Sequence, residues 1–246
     1  MPKRKEWFGE WFDSPYYHVL YKHRDHEEAQ AFINVAIEYL GVNSQHKIMD
    51  LACGKGRHSI YLNKKGFDVV GLDLSAQSIE YANKFANDRL HFYIHDMREV
   101  FAEEAFDFVF NFFTSFGYFE TKEEHEKAIH SIAQSLKKGG VFLLDFLNPY
   151  TVINHLVTEE KKEIDGIEFH ITKDFTEDGY ITKDIEFIAH GKSHHFKEKV
   201  KALRRVDFLE YFKNSNLDVI DILGSYELAP YVPEKSERMI FILKKL

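Results

Sequence analysis

Three features of the 246-residue chain predict an α/β protein with a doubly wound, mostly parallel seven-stranded sheet and an antiparallel β insertion after the fifth strand. Short apolar runs alternate with segments of helical periodicity from residue 26 to about 150. A glycine-bearing turn separates the first run from its helix. Between about 160 and 204 the hydrophobic period becomes two. Strands of a parallel sheet read as continuous apolar runs because helices cover both faces, whereas a half-exposed antiparallel strand alternates.

The elements follow in order. Residues 1 to about 25 set Trp7, Phe8, Trp11, Phe12, Tyr16, Tyr17 and Tyr21 among charges. This is an aromatic flap that packs on the main domain or closes over a pocket, since tyrosine and tryptophan combine apolar bodies with polar tips. Over 27–40 the apolar positions Ala29, Phe32, Ile33, Ala36, Ile37 and Leu40 recur at helical spacing, and Gly41 stops the helix. Strands are expected over 47–52, 67–73, 90–94, 106–112 and 141–146, with helices over 57–65, 76–86 (capped by Ser75), 97–102 and 122–137. In the insertion Ile167, Phe169 and Ile171, then Ile181, Ile185 and Phe187, alternate with polar residues around the Glu177-Asp178-Gly179 turn, and a third strand is expected over 195–204. A helix over 206–216 and strands over 217–223 and 238–243 complete the sheet. The domain map is a flap over 1–25, an α/β domain over 26–157 and 205–246, and an insertion over 158–204 that serves as lid, substrate wall or homodimer contact.

Composition narrows the function. With 32 Lys and Arg against 40 Asp and Glu the net charge is −8, which disfavours a non-specific polyanion binder and DNA as a partner. Cys53 is the single cysteine, so no intramolecular disulfide forms and a reducing compartment fits. No export signal and no 18-residue apolar run is present, so a soluble, cytoplasmic protein without a membrane partner is expected. The histidines suit no metal. His194 and His195 point to opposite faces of a strand, and the pairs His91/His95 and His190/His194 lie in or beside strands, where four residues span roughly 13 Å.

The chemistry concentrates in Asp50-Leu-Ala-Cys-Gly-Lys-Gly56, at the turn between the first strand and its helix. Gly54 and Gly56 let backbone approach a ligand in front of a helix N-terminus. Asp73 closes the second strand, in the neighbouring loop of a doubly wound sheet, where a carboxylate accepts hydrogen bonds from a ribose diol. A nicotinamide dinucleotide needs a third glycine, and that position is Ser59. Asp50 before the turn suits an ammonium better than a pyrophosphate. Together these favour a nucleoside that bears an amino acid.

On these residues the chain resembles the class I S-adenosylmethionine-dependent methyltransferases, from about residue 15 to the C-terminus, with Ala52 in place of the motif's first glycine. The resemblance implies a Rossmann-like methyltransferase fold, S-adenosylmethionine as cofactor and S-adenosylhomocysteine as product. It implies cofactor contacts from Asp50, Ala52, Cys53, Gly54 and Gly56 at the turn, from Asp73 to the ribose, from Leu74, Asp96 and Met97 to the adenine, and from Asn111 and Phe112 at the end of the fourth strand. Cys53 reads as a small packing residue rather than a nucleophile. Thr114, Ser115, Tyr118, Asp145, Asn148 and Tyr150 fall where an acceptor approaches, and Tyr16, Tyr17, His18 and Tyr21 can close over it. Substrate contacts are therefore expected from Tyr16, Tyr17, Tyr21, Ser115, Tyr118 and Asn148, with His18 and Tyr118 as candidate bases. The fourth strand lacks the Pro-Pro motif of enzymes that methylate nucleic-acid amino groups, so a small-molecule acceptor leads. Methylation of protein or structured RNA through Lys197, Lys199 and Lys201, a non-catalytic cofactor-binding module, and an NAD-dependent oxidoreductase stand as alternatives.

Overall fold

The computed structural model describes residues 7–22, 26–112 and 115–246. Phe113 and Thr114 lie outside the described residues, as does the Trp7 side chain. Two short helices open the chain, α1 (Trp7–Phe12) and α2 (Pro15–Leu20), followed by α3 (His26–Tyr39). Alternation then runs through β1 (Lys47–Leu51), α4 (Arg57–Lys64), β2 (Asp68–Asp73), α5 (Ala76–Ala82), β3 (Leu90–Ile94), β4 (Phe106–Asn111), α6 (Lys122–Ser135) and β5 (Leu136–Leu147). After α7 (Pro149–Asn154) come β6 (Glu159–Ile164), β7 (Ile167–Phe175), β8 (Tyr180–Ala189) and β9 (Lys192–Lys201). The chain closes with α8 (Arg205–Asn214), β10 (Leu217–Leu223) and β11 (Arg238–Lys245).

The main sheet has the order β10-β11-β5-β4-β1-β2-β3, and β11 runs antiparallel to both neighbours. The chain winds outward from β1 through β2 to β3, then returns to place β4 on the other side of β1. That reversal opens a crevice at the carboxyl ends of β1 and β4, where an open α/β sheet receives its ligand. Because successive side chains point to opposite faces, Ile48 joins Val69, Phe108 and Phe110 in one core layer while Met49 and Leu51 join Val70, Leu72 and Val109 in the other.

The insertion is a separate meander, β6-β7-β8-β9, whose buried face carries Phe169, Ile171, Ile185 and Phe187. Trp11 of α1 and Leu20 of α2 pack on that face. The aromatic N-terminal segment thus completes the core of the inserted sheet. Two expectations need correction. The insertion has four strands, because the edge strand β6 (Glu159-Glu-Lys-Lys-Glu-Ile164) needs pairing on one side only and carries no alternation to reveal it. Residues 97–102 form turns rather than a helix, tied by Glu99 N donating to Asp96 O at 2.9 Å. No helix among the described residues is long and apolar enough to cross a membrane, and among them no cluster of histidine, cysteine and carboxylate residues is arranged to hold a metal.

Candidate active site

β1 ends in a turn that only a few residue types tolerate. Ala52 and Gly54 adopt left-handed backbone (φ 59° and 56°), and Gly56, the N-cap of α4, sits at φ 80°. Cys53 N donates to Leu72 O at 2.9 Å and Gly56 N to Cys53 O at 3.0 Å, so the turn folds back on β2. A Cβ on Gly56 would meet the Phe92 ring at 2.7 Å, which fixes glycine there for space as well as backbone. Asp73, at the end of β2, clasps the turn. Its Oδ2 accepts from Gly54 N and its Oδ1 from Ser75 N, both at 2.8 Å. Burial pushes the Asp73 carboxyl above the ordinary range.

These groups line a cavity of about 780 Å³, together with Lys55, Arg57, His58, Leu74, Asp96, Met97, Phe112, Ser115 and Tyr118. Its roof is the N-terminal segment: Phe8, Phe12, Tyr17, His18, Tyr21 and Lys22 face the same space. Two anchors hold that roof. Asp13 Oδ1 accepts from Ser75 Oγ at 2.6 Å and Gln77 N at 3.3 Å, beside Asp73. Glu198 Oε1 on β9 accepts from Trp11 Nε1 at 2.7 Å and from the Tyr21 hydroxyl at 2.6 Å. Lys183 in turn donates to the Tyr21 oxygen. Tyr118 lies under Phe12 and Phe8, with ring centroids 5.3 and 6.3 Å away.

The electrostatics divide the cavity. Asp96 is raised by burial, but the Arg98 side chain and amide more than offset this and hold it below the ordinary carboxylate range; Arg98 Nη2 lies 2.7 Å from its Oδ2. Burial, reinforced by Lys55, pushes His18 down to about 4, so the imidazole is neutral at pH 7. Arg57 Nη2 donates to His58 Nε2 at 2.9 Å, which leaves the His58 proton on Nδ1.

Several expected site residues stand elsewhere. Asp50 is 1% exposed and sits behind the turn, outside the cavity. Its partner is Ser59 on the first turns of α4, whose Oγ donates to Asp50 Oδ2 at 2.5 Å. Desolvation pushes the Asp50 carboxyl up to about 7, even with the Ser59 hydrogen bond opposing it. Ser59, at the position of the missing third glycine, thus caps a buried acid, and Asp50 makes no direct contact with the cavity. Gly56 shapes the helix start but does not face the space. Asn111 lies just behind the wall, donating to Leu51 O at 2.8 Å with its own Oδ1 buried and unpartnered. Tyr16 turns to the inserted sheet, with its ring 4.8 Å from Phe187 and 4.7 Å from His194. Asn148 is fully buried as the N-cap of α7, and its Nδ2 donates to Pro233 O and Ser236 O, so it contacts no acceptor. Asp145 is buried against Arg238, with Nε to Oδ1 at 2.8 Å, and Tyr150 lies outside the cavity.

Sequence reading missed the α4 wall. Arg57, Tyr61 and Lys64 all face the cavity, and their i, i+4, i+7 spacing on one helix face was the available signal.

Comparison with known proteins places this geometry. Residues 48–140 match the family described as a methyltransferase domain. A putative methyltransferase of Bacillus subtilis, YqeM, is 30% identical over 139 residues, covering 55% of this chain and 54% of the relative. The dTDP-3-amino-3,4,6-trideoxy-alpha-D-glucopyranose N,N-dimethyltransferase of Streptomyces venezuelae is 35% identical over 100 residues, 40% of this chain and 41% of the relative. The chain thus spans about half the length of these two curated relatives, or less. A solved S-adenosylmethionine-dependent methyltransferase from Clostridium acetobutylicum shares the fold at a TM-score of 0.78 and 21% identity, over 94% of this chain and 96% of that one. The matched residues 48–140 are those that build the floor of the cavity, from β1 through Asp73 and Asp96 to β4, and over them the chain is similar to methyltransferases, while its fold is that of a solved S-adenosylmethionine-dependent methyltransferase.

Proposed function

We propose that this protein transfers the methyl group of S-adenosylmethionine to a small-molecule acceptor, by a nitrogen atom of that acceptor attacking in line. The carrying observation is one roofed cavity that joins the Ala52–Gly54 turn and Asp73 to an aromatic wall of Phe12, Tyr17, Tyr118 and Phe112.

The residues present fit the cofactor. An ionised carboxylate has about four lone-pair sites, and Asp73 uses one per oxygen on Gly54 N and Ser75 N. The Leu74 backbone adds a further hydrogen bond, which leaves one site for a ribose hydroxyl. Asp96, Met97 and Leu74 line the adenine end. Arg57, in the first turn of α4, is the cation for the methionine carboxylate. Asp50 acts through Ser59 and the turn rather than on the ligand. When bound, S-adenosylmethionine supplies a methyl group on a positively charged sulfur that leaves as a neutral thioether. The protein's part is alignment and exclusion of water. The α1–α2 roof performs the second, and Tyr17, Ser115 and Tyr118 line the acceptor's approach. His18, neutral at pH 7, is placed to accept a hydrogen bond from an amine.

The relative that methylates an amino sugar supports a nitrogen acceptor. The basic strand gives less support to a polyanionic acceptor, because Lys197 pairs with Asp184 at 3.2 Å and Lys199 with Asp178 at 3.4 Å. The open edges of the insertion, β6 and β9, are dense in charge, which discourages strand pairing between copies and favours a lid role, as the support of the α1–α2 roof, over the homodimer role. The single buried cysteine supports a cytoplasmic setting. Calorimetry with S-adenosylmethionine, S-adenosylhomocysteine and NAD tests the reading. Both sulfur nucleosides should bind, and tighter binding of NAD than of either overturns it.

A further inference from the structure

We infer that the acceptor is an anion-bearing small molecule, a carboxylate or phosphate, whose charged group is received by Lys64 in a cationic lobe of the cavity along α4. The inference rests on the methyltransferase reading above and names the substrate class for that same site.

Charge along the cavity is unevenly distributed. Among the described residues that line it, the carboxylates are Asp73 and Asp96, both at the strand ends that face the nucleoside. The wall made by α4, Arg57-His-Ser-Ile-Tyr-Leu-Asn-Lys64, contains no acid at all. Lys64 stands in the last turn of that wall, and Gln30 of α3 and Lys22 line the same cavity. Lys22 is tied to Asp165 at 2.9 Å, but both side chains are about half exposed, and such a pair is weak enough to share with a ligand.

The cofactor does not account for this lobe. S-adenosylmethionine carries one carboxylate, and Arg57 beside the Ala52–Gly54 turn suffices for it. Lys55 lies between the two ends, with its Nζ 5.2 Å from the Tyr81 ring centroid and its charge felt by His18. Lys64 follows Arg57 by seven residues, which puts their backbones roughly 10 Å apart along the helix. With Arg57 beside the Ala52–Gly54 turn taking the cofactor's carboxylate, Lys64 further along the wall is left to a second anion. Helical side chains lean back toward the N-terminus, so the Lys64 stem points up the wall toward the reacting end. Tyr61 lies one turn before it and fixes the wall by donating to Asn34 Oδ1 at 3.0 Å. A second anion, on a molecule long enough to reach from the methyl group to Lys64, fits this arrangement.

The test uses the full chain saturated with S-adenosylhomocysteine, titrated calorimetrically with pyrophosphate and, separately, with malonate. At low salt at least one should bind, and its affinity should fall at least tenfold in Lys64→Gln while Lys64→Arg retains it. The affinity of both variants for S-adenosylhomocysteine should stay within twofold of the parent, and their melting temperatures should be unchanged because Lys64 is exposed. Binding of pyrophosphate alone identifies a phosphate-bearing acceptor, and binding of malonate alone a carboxylate. If neither anion binds the loaded protein, or Lys64→Gln binds as well as the parent, the inference is overturned. If S-adenosylhomocysteine itself fails to bind, the methyltransferase reading falls instead.

Discussion

Replacing Asp50 by asparagine should flatten a pH dependence of stability that the fold builds in. The carboxyl is 1% exposed and pushed up from 3.8 to about 7, chiefly by desolvation. The unfolded chain releases this proton near pH 4, whereas the folded protein keeps it until about pH 7. Between those values the folded state holds more protons, so the stability from this group is fully present at low pH and is lost as pH rises toward 7. At 1.36 kcal/mol per pH unit the full span is worth roughly 4 kcal/mol, of which roughly 2–3 kcal/mol falls between pH 5 and pH 8. Asparagine does not titrate and still accepts the Ser59 hydroxyl proton through Oδ1. Urea denaturation of both proteins at the two pH values gives a double difference in which the titrating groups not coupled to Asp50 cancel. The parent should lose about 2–3 kcal/mol more than Asp50→Asn on going from pH 5 to pH 8. A double difference below about 0.5 kcal/mol would refute the claim that Asp50 is held as a buried, partly neutral acid.

Two further outcomes follow from the cavity. Asp73→Ala should weaken S-adenosylhomocysteine binding by about 1–3 kcal/mol in calorimetry, because it removes both the clasp on Gly54 N and the acceptor for a ribose hydroxyl; unchanged affinity removes the assignment. Glu198→Ala leaves the Trp11 indole N–H and the Tyr21 hydroxyl without their acceptor. The roof should then loosen by about 1–3 kcal/mol, seen as faster proteolysis within residues 7–22 at an unchanged melting temperature. Proteolysis at the parent rate would show that the aromatic packing of Trp11 holds the roof without Glu198.

The turn end of the cavity was legible in the sequence because backbone geometry dictated it. A left-handed turn after a buried strand asks for glycine, and an acid at the end of the next strand marks its neighbour, so Gly54 and Asp73 are visible without coordinates. Asp50 was recognised but misplaced. Its partner Ser59 lies nine residues on, across the turn and into α4, and a pairing that closes through three dimensions leaves no period to read. Asn148 misled for a different reason. The Asn148-Pro149 pair is a local helix-start signal, and at a strand end near the acceptor it imitates a binding residue. The aromatic N-terminal segment announced its own burial but not its partner, because Trp11 packs against Phe196, 185 residues later in the chain. The roles of Tyr16 and Tyr17 separate only once α2 is built, which turns one to Phe187 and the other to the cavity.

The inserted sheet joins the α/β frame by two passages of the chain, one leaving α7 and one returning at Lys201, where the backbone N–H donates to Gly117 O at 2.7 Å. None of its ladders is shared with the main sheet. A hairpin there can gain or lose residues without shifting the register of any strand that carries Asp73 or the Ala52–Gly54 turn. Evolution, or a protein engineer, can therefore retailor the sheet that carries the α1–α2 roof by insertion and deletion while the strand-end floor of the cavity is inherited unchanged.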